Sequence, residues 1–501
     1  MNRYSITAII LLALAASCSH AQQPDKVYSK DIEDKIRQVE THLGGWVQLP
    51  GDDAWTLADR MKFYGVKGVS IAVIHNNQVE WARGYGWADE GERRPVTTNT
   101  MFQAGSISKS LNAVGVMLLV QRHRLDLNTD INDYLRTWKF PYDSVSKGKK
   151  ITLGNLLSHT GGLSVHGFPG YEKTDSLPAL DQVLDGKRPA NTDPVRSIVE
   201  PGKQFIYSGG GTTISQLIVM NTTGIPYDQY MWENVLQPMG MDHSSYAQPP
   251  PASKDRATGY LRGGKEVPGK YHIYPEQAAA GLWTTPSDLG KYIIESQLAF
   301  EGKSAKVLDQ TSTRTRLSPY IDSIVNNGTR EGLGVFLFQK GKNHYFNHDG
   351  SDVGFLSNYY GCFDNGDGVV VQINNDVGFG LIRELVNSVA TVYHWDEFYQ
   401  PEHPSVIQPR PDSLARNVGV YTSDNRDTVR IYLQGDQLYY ISRYMVANHP
   451  EQMYFTSPVD FLIYEEGWYA YFKDGRLYLK LGKTIREFVR LDDSVKYNRD
   501  F

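Results

Sequence analysis

The chain has 501 residues, and single hydrophobic cores stop growing at roughly 250–300 residues, so one core does not account for it. Hydrophobic residues make up 40% and charged residues 21%, an ordinary globular balance. The net charge of −5 is spread along the chain with no basic face, which argues against a nucleic-acid partner.

The first twenty-odd residues read as an export signal. Arg3 supplies the positive start, and Ile6 to Ala16 is an apolar run too short to span a bilayer. Ser19-His20-Ala21 offers small residues for cleavage before Gln22, so residues 1–21 are expected to be a signal peptide and the protein to be periplasmic or extracellular. Ala15-Ala16-Ser17-Cys18 also resembles a lipoprotein box, which would leave Cys18 as a lipid anchor. The position three before it is Ala rather than Leu, so plain cleavage is preferred. Cys362 is then alone, and it sits among Tyr359, Tyr360 and Phe363 as a small core residue of a buried strand.

Ile32 to Leu43 reads as an opening amphipathic helix. Gly68 to Ile74 and Val79 to Arg83 read as a strand pair joined by a His75-Asn76-Asn77-Gln78 turn, because asparagine tolerates positive φ. From Ser106 to about Gln121 the period becomes helical, with Ile107, Leu111, Val114 and Leu118 on one face. Residues 150–260 are helical and loop-rich. Strands return at Leu333 to Phe338, Tyr345 to Asn347, Phe355 to Phe363 and Gly368 to Asn374. A helix follows, with Ile382, Leu385, Val386, Val389 and Tyr393 on one side. Pro401, Pro404, Pro409 and Pro411 mark a linker at 396–411. Beyond it, Val429 to Leu433, Leu438 to Ile441, Phe461 to Tyr464, Trp468 to Phe472 and Leu477 to Leu481 alternate, so residues 412–501 form a small all-β, barrel-like module. A sheet built from both ends of a helical insertion is an α+β architecture.

Ser106-Ile107-Ser108-Lys109 matches the S-x-x-K pattern. Residues i and i+3 share a helix face, so an amine there reaches the hydroxyl. A serine hydroxyl must lose its proton to an adjacent base, and a lysine does this once burial keeps it neutral. Ser144-Val145-Ser146-Lys147 matches as well, but it lies in a polar stretch with no apolar helix behind it.

Five motifs occur in order: Phe102 to Lys109, Leu156 to Leu163 (LLSHTGGL), Pro201-Gly202 with Tyr207-Ser208-Gly209, Ala280 to Leu289 (AGLWTTPSDL), and His348-Asp349-Gly350. The series resembles the serine β-lactamase-like family, which includes class C β-lactamases, D-alanyl-D-alanine carboxypeptidases, D-amino-acid peptidases and esterases. The resemblance spans roughly residues 30–395. It implies a β-lactamase/transpeptidase-like fold over 25–395: an antiparallel sheet flanked by helices, with a helical part at about 105–275. It implies Ser106 as nucleophile, Lys109 as its base partner and Tyr207 as proton shuttle to the leaving group. His348 would donate to Tyr207 or to a substrate carboxylate, and Gly350 would let the substrate backbone approach closely. The N–H groups of Ser351 and Ser106 would form an oxyanion hole.

Two positions depart from the family pattern. Gly209 stands where the Y-x-N asparagine holds the substrate amide, and His348 stands where K-T-G has a lysine. Both favour the esterase and peptidase relatives over dedicated β-lactamases. His159 is read as structural. No metal or cofactor is implied, since neither H-E-x-x-H nor C-x-x-C occurs. The expectation is an exported serine hydrolase acting on an amide or ester of a peptide or small molecule. The alternative is a non-hydrolysing penicillin-binding or sensor protein on the same scaffold.

Overall fold

Two nearly unbroken aliphatic strands, β1 (Gly68–His75) and a partner near the end of the sheet's chain path, Gly368–Ile373, lie side by side and antiparallel, Val69 opposite Ile373. Such runs arise when both faces of a sheet are covered. The computed structural model describes residues 26–491 except 52–53, 322–323, 327, 408–413, 424–426, 443–449, 466 and 482–483. The segment read as a signal peptide, with Cys18, lies outside the described residues.

The remaining strands are β2 (Gln78–Asp89), β3 (Arg94–Pro95), β4 (Ile324–Asn326), β5 (Thr329–Glu331), β6 (Phe336–Lys340), β7 (Asn343–Asp352), β8 (Phe355–Cys362) and β9 (Gly368–Ile373). Together they form a nine-stranded sheet in the order β3-β2-β1-β9-β8-β7-β6-β5-β4. Asn76 and Asn77 both take positive φ in the β1–β2 turn, as their sequence predicts. Leu333 to Val335, expected as strand, instead form a turn, where Gly334 takes φ +72° and packs on Lys109 and Ala113.

Alternation divides the core in two. Val69, Ile71, Val73, Val369, Val371 and Ile373 face the terminal helices α1 (Lys30–Thr41) and, at the far end of the catalytic unit, Phe379–Val392, meeting Ile36, Val39, Leu381, Leu385 and Val389. The other face meets α3 (Ser108–Gln121) and the helices Gly209–Thr223 and Pro286–Glu301, through Ile74, Phe346, Tyr359, Val370, Leu111, Ile214 and Ile293. In chain order these helices are α1, α2 (Leu57–Tyr64), α3, α4 (Gly209–Thr223), α5 (Pro286–Glu301) and α6 (Phe379–Val392).

The sequence period predicts an amphipathic α3, but every residue from Ser108 to Leu119 is buried. The helix runs through the middle of the larger core, and its polar Ser110 and Asn112 bond inward: Ser110 Oγ donates to the Gly334 carbonyl at 2.8 Å, and Asn112 Nδ2 to Ser215 Oγ at 3.0 Å. A helix buried all round carries no polar stripe for periodicity to detect.

Eight strands between Gly419 and Arg490 close into a barrel. Its interior is filled by Val429, Ile431, Leu438, Met453, Phe461 and Leu479 among others. Gly419–Thr422, Glu451–Phe455 and Thr484–Arg490 are not among the strands read from sequence; they are short, or border on polar stretches. The proline-marked segment is laid against both units: Gln48 N–H donates to the Glu402 carbonyl at 2.9 Å, and Ile407 N–H to the Phe455 carbonyl at 2.8 Å.

Between barrel and catalytic unit lies a buried ion network. Arg60 on α2 gives bidentate bonds to Glu384 on α6 at 2.8 and 2.6 Å and a third bond to Glu465 of the barrel at 2.6 Å. Tyr64 Oη donates to Glu384 at 2.6 Å. Removing the guanidinium strands two carboxylates, one of them fully buried. Arg60→Met is therefore expected to lower stability by about 3–5 kcal/mol, read as an earlier urea midpoint.

Candidate active site

Ser106 lies in a 3₁₀ turn, Gly105–Ile107, immediately before α3 rather than inside it. Gly105 needs φ +51°, and a Cβ there would fall 2.5 Å from Ser351 N, so glycine is required twice over. The turn is held from several sides. Ser108 Oγ donates to the Gly105 carbonyl at 2.6 Å and accepts the Leu282 N–H at 3.0 Å. Tyr246 Oη donates to the Ser108 carbonyl at 2.6 Å. Phe102-Gln103 pairs with Trp283-Thr284 as a two-stranded ribbon, which ties the AGLWTTPSDL motif to the nucleophile turn.

Lys109 Nζ stands 2.9 Å from Ser106 Oγ and donates to the Ala279 carbonyl at 2.7 Å. The residue is 3% exposed. Loss of water pushes its amine down to about 7, against a partial upward pull from Asp352. A neutral amine at this spacing offers its lone pair to the serine hydroxyl. The second S-x-x-K copy is a short surface turn, in which Lys147 pairs with Glu200 at 3.3 Å.

Tyr207 closes the other side. Its ring lies 5.0 Å from Lys109 Nζ, and its phenol neighbours the Ser106 side chain. Burial raises its phenol well above the ordinary value, so it carries its proton at neutral pH. The structure thus brings Tyr207 to Ser106 and Lys109 from a stretch of sequence about a hundred residues away.

Beyond Asn347, which pairs with Phe336, the edge of β7 is free of β6 and meets the nucleophile turn. Alternation turns His348, Gly350 and Asp352 toward the turn. Ser351 N lies beside Gly105, the residue before Ser106.

The structure places three further positions. His348 is 2% exposed, and its Nδ1 lies 2.6 Å from the Asp349 carbonyl, which accepts only, so Nδ1 carries the hydrogen. Burial, with Lys109 nearby, holds the ring neutral at about 3, leaving Nε2 a bare acceptor that does not donate to Tyr207 or to a carboxylate. Gly350 is not a landing place for substrate. A Cβ there would lie 1.9 Å from the Ala104 carbonyl, so the chain's own backbone fills that approach. Gly209 is the first residue of α4, and a side chain there would press on the Phe168 ring at 3.0 Å and the His166 carbonyl at 3.2 Å.

Sequence reasoning missed several groups. Asp352 and Glu276 are buried acids near Lys109, and burial raises both, Glu276 to about 7. Glu331 is fully buried within electrostatic reach of Tyr207. Alternation on β7 identifies Asp352 once His348 is placed; nothing local marks the other two. His159, read as structural, has its ring 4.3 Å from that of Tyr207. From Tyr207 a cleft of about 1020 Å³ extends between the outer face of β6–β8, Arg383 on α6, Trp46 and Trp468 of the barrel.

The family described as Beta-lactamase matches residues 55–386, and the chain belongs to it. The chain is 26% identical over 311 residues to protein flp of Staphylococcus aureus strain MW2, covering 56% of this chain and 58% of that protein. It is 28% identical over 287 residues to a beta-lactamase of Pseudomonas fluorescens, covering 56% of this chain and 73% of that one. The chain thus spans about half the length of the flp proteins it matches; for strain N315 the share is 42%. Among solved structures, the octameric penicillin-binding protein homologue from Pyrococcus abyssi superposes with a TM-score of 0.60 at 21% identity, over 86% of this chain and 98% of that one. The D-amino acid amidase from Ochrobactrum anthropi gives 0.56 at 21% identity, over 73% and 98%. These likenesses establish the β-lactamase/transpeptidase-like fold read from the motifs.

Gly350→Ala tests the backbone contact that seats the turn. The added methyl is expected to cost about 1–3 kcal/mol and to slow covalent labelling of Ser106 by a fluorophosphonate. Urea melts and labelling rates check the two effects.

Proposed function

We propose that this protein is an exported serine hydrolase that opens amide or ester bonds through an acyl-enzyme on Ser106. The observation that carries the reading is the buried Lys109 amine, 2.9 Å from the Ser106 hydroxyl and held near neutrality by loss of water.

In the first step, Lys109 Nζ takes the Ser106 proton as Oγ attacks the acyl carbon. The N–H groups of Ser106 and Ser351 receive the oxyanion. Tyr207, protonated at neutral pH, gives its proton to the departing amine or alkoxide. The resulting phenolate draws a proton from the water that cleaves the ester to Ser106, Lys109 returns its proton to Ser106 Oγ as that bond breaks, and the free acid leaves. The first of these transfers runs between groups already 2.9 Å apart.

The substrate class is inferred from two positions beside the nucleophile, His348 and Gly209. His348 is neutral, so it supplies no fixed charge for the carboxylate of a β-lactam or C-terminal D-alanine. Gly209 offers no amide to grip an acylamino side chain. Small esters and amides of modest polarity are favoured, D-amino-acid derivatives next, β-lactams last. Export rests on the Arg3, Ile6–Ala16 and Ser19-His20-Ala21 pattern. The N-terminal mass of the secreted protein reads it directly: a chain starting at Gln22 supports cleavage, and a diacylated Cys18 supports the anchor.

A panel of p-nitrophenyl esters, D-alanyl-D-alanine peptides and a chromogenic cephalosporin tests the reading against Ser106→Ala. Ester turnover lost in the variant is the expected result, with the cephalosporin at least about 100-fold slower. A long-lived adduct without turnover would instead make the protein a receptor, and no adduct at all would sink both covalent readings. The acylation rate should follow the neutral fraction of Lys109. It should rise with pH through about 7, level off above, and fall about tenfold per pH unit well below. Lys109→Ala should abolish that limb and cost about 100- to 10,000-fold.

A further inference from the structure

One peptide plane in the site is bracketed by two imidazoles. The N–H of Ser208 donates to His159 Nδ1 at 3.2 Å, and the carbonyl of Tyr207, the other end of the same peptide, accepts from His166 Nδ1. Each bond fixes a tautomer, since an N–H only donates and a carbonyl only accepts. His159 presents a lone pair at Nδ1, and His166 presents a hydrogen there.

The grip extends to both neighbours of Tyr207. The His159 carbonyl accepts the Ile206 N–H at 2.8 Å, so one residue holds the backbone before and after the tyrosine. The His159 ring lies 4.3 Å from the Tyr207 ring at 42°. Gly209 and Gly210 N–H groups donate to the His166 and Val165 carbonyls at 3.2 and 3.0 Å. Ser208 Oγ donates to the Ser164 carbonyl at 2.8 Å.

The loop that does this is held against its own preference. His159 takes φ +53° and Val165 φ +61°, the latter a β-branched residue for which that region is a genuine outlier. Such conformations persist when the surroundings over-determine them, and they cluster at functional sites. His159 is 3% exposed, and burial beside Lys109 keeps it neutral, so its Nδ1 stays an acceptor.

We propose that the loop from His159 to His166 is a clamp for Tyr207, with His159 its principal positioning residue. The clamp fixes where the phenol oxygen sits relative to Ser106 and Lys109. It does not itself exchange protons with substrate. The inference rests on the proton-transfer role proposed for Tyr207.

The test is a double-mutant cycle in the full chain, with p-nitrophenyl acetate as substrate and circular-dichroism melting as the check on folding. His159→Gln places its amide away from the Nδ1 position. It is expected to slow kcat about 100-fold, the cost of misplacing a reacting group by about 1 Å, with KM within about threefold. His159→Asn keeps an acceptor at the Nδ1 position and tolerates the positive φ, and should return kcat to within about tenfold of the parent. In a Tyr207→Phe background, His159→Gln should cost less than about threefold more, because nothing is left to position.

Equal losses in both backgrounds overturn the clamp while leaving the role of Tyr207 standing. So does an Asn variant as slow as Gln. A Tyr207→Phe enzyme as fast as the parent overturns the role of the phenol and the clamp together. Should His159→Gln fail to fold, exposed His166 carries the same cycle. His166→Leu is expected to lose about tenfold in the parent and nothing in Tyr207→Phe, and no loss in the parent overturns the proposal.

Discussion

A lysine amine stripped of water beside a serine hydroxyl is the constraint that the rest of this structure answers to. Burying an ammonium ion costs several kcal/mol, and the least costly escape is to give up the proton. Lys109 does so because α3 is buried all round and packs on the 277–280 segment, while the turn before it packs on the edge of β7. A short surface turn with the same S-x-x-K pattern, as at Ser144 to Lys147, leaves its lysine solvated and paired with a glutamate. The motif acquires its chemistry from the core around it.

That core demands close backbone contacts, and glycines supply them. Gly105 and Gly350 face one another across the junction between the nucleophile turn and β7, each barred from carrying a Cβ by backbone of the other segment. The pairing sets the distance between Ser106 and the Ser351 N–H. A glycine that a sequence reader assigns to substrate approach is here spent on holding the catalytic strand against the catalytic turn. The strand's free edge exists because β6 stops pairing at Asn347, where the sheet opens toward the cleft.

Much of this was legible in the letters, and the rest was not for definite reasons. Five ordered motifs carry the family. S-x-x-K with an apolar run behind it marks the nucleophile, and asparagines at a turn mark the first hairpin. The orientation of His348 was not legible, because it depends on which ring nitrogen meets the Asp349 carbonyl. Nor was the part played by His159, since its partners are backbone groups some fifty positions away, about which side-chain patterns say nothing. The barrel was read as several strands rather than eight, because its shortest strands alternate too briefly to rise above the neighbouring polar stretches.

The ionisable groups around Ser106 share one property. Lys109, His159 and His348 are pushed down, while Tyr207, Asp352, Glu276 and Glu331 are pushed up, and loss of water is the largest cause in every case. Each is thereby shifted towards its neutral form. In the mechanism proposed, acylation would create charge there as a pair, an ammonium on Lys109 and an oxyanion over the Ser106 and Ser351 N–H groups. Charges that arise together at short range in a dry cavity attract strongly, and the dipoles meant for them are already in place. A site whose resting groups were ionised would spend that field on its ground state. Shifting them towards neutrality reserves more of it for the transition state, which is where stabilisation raises the rate.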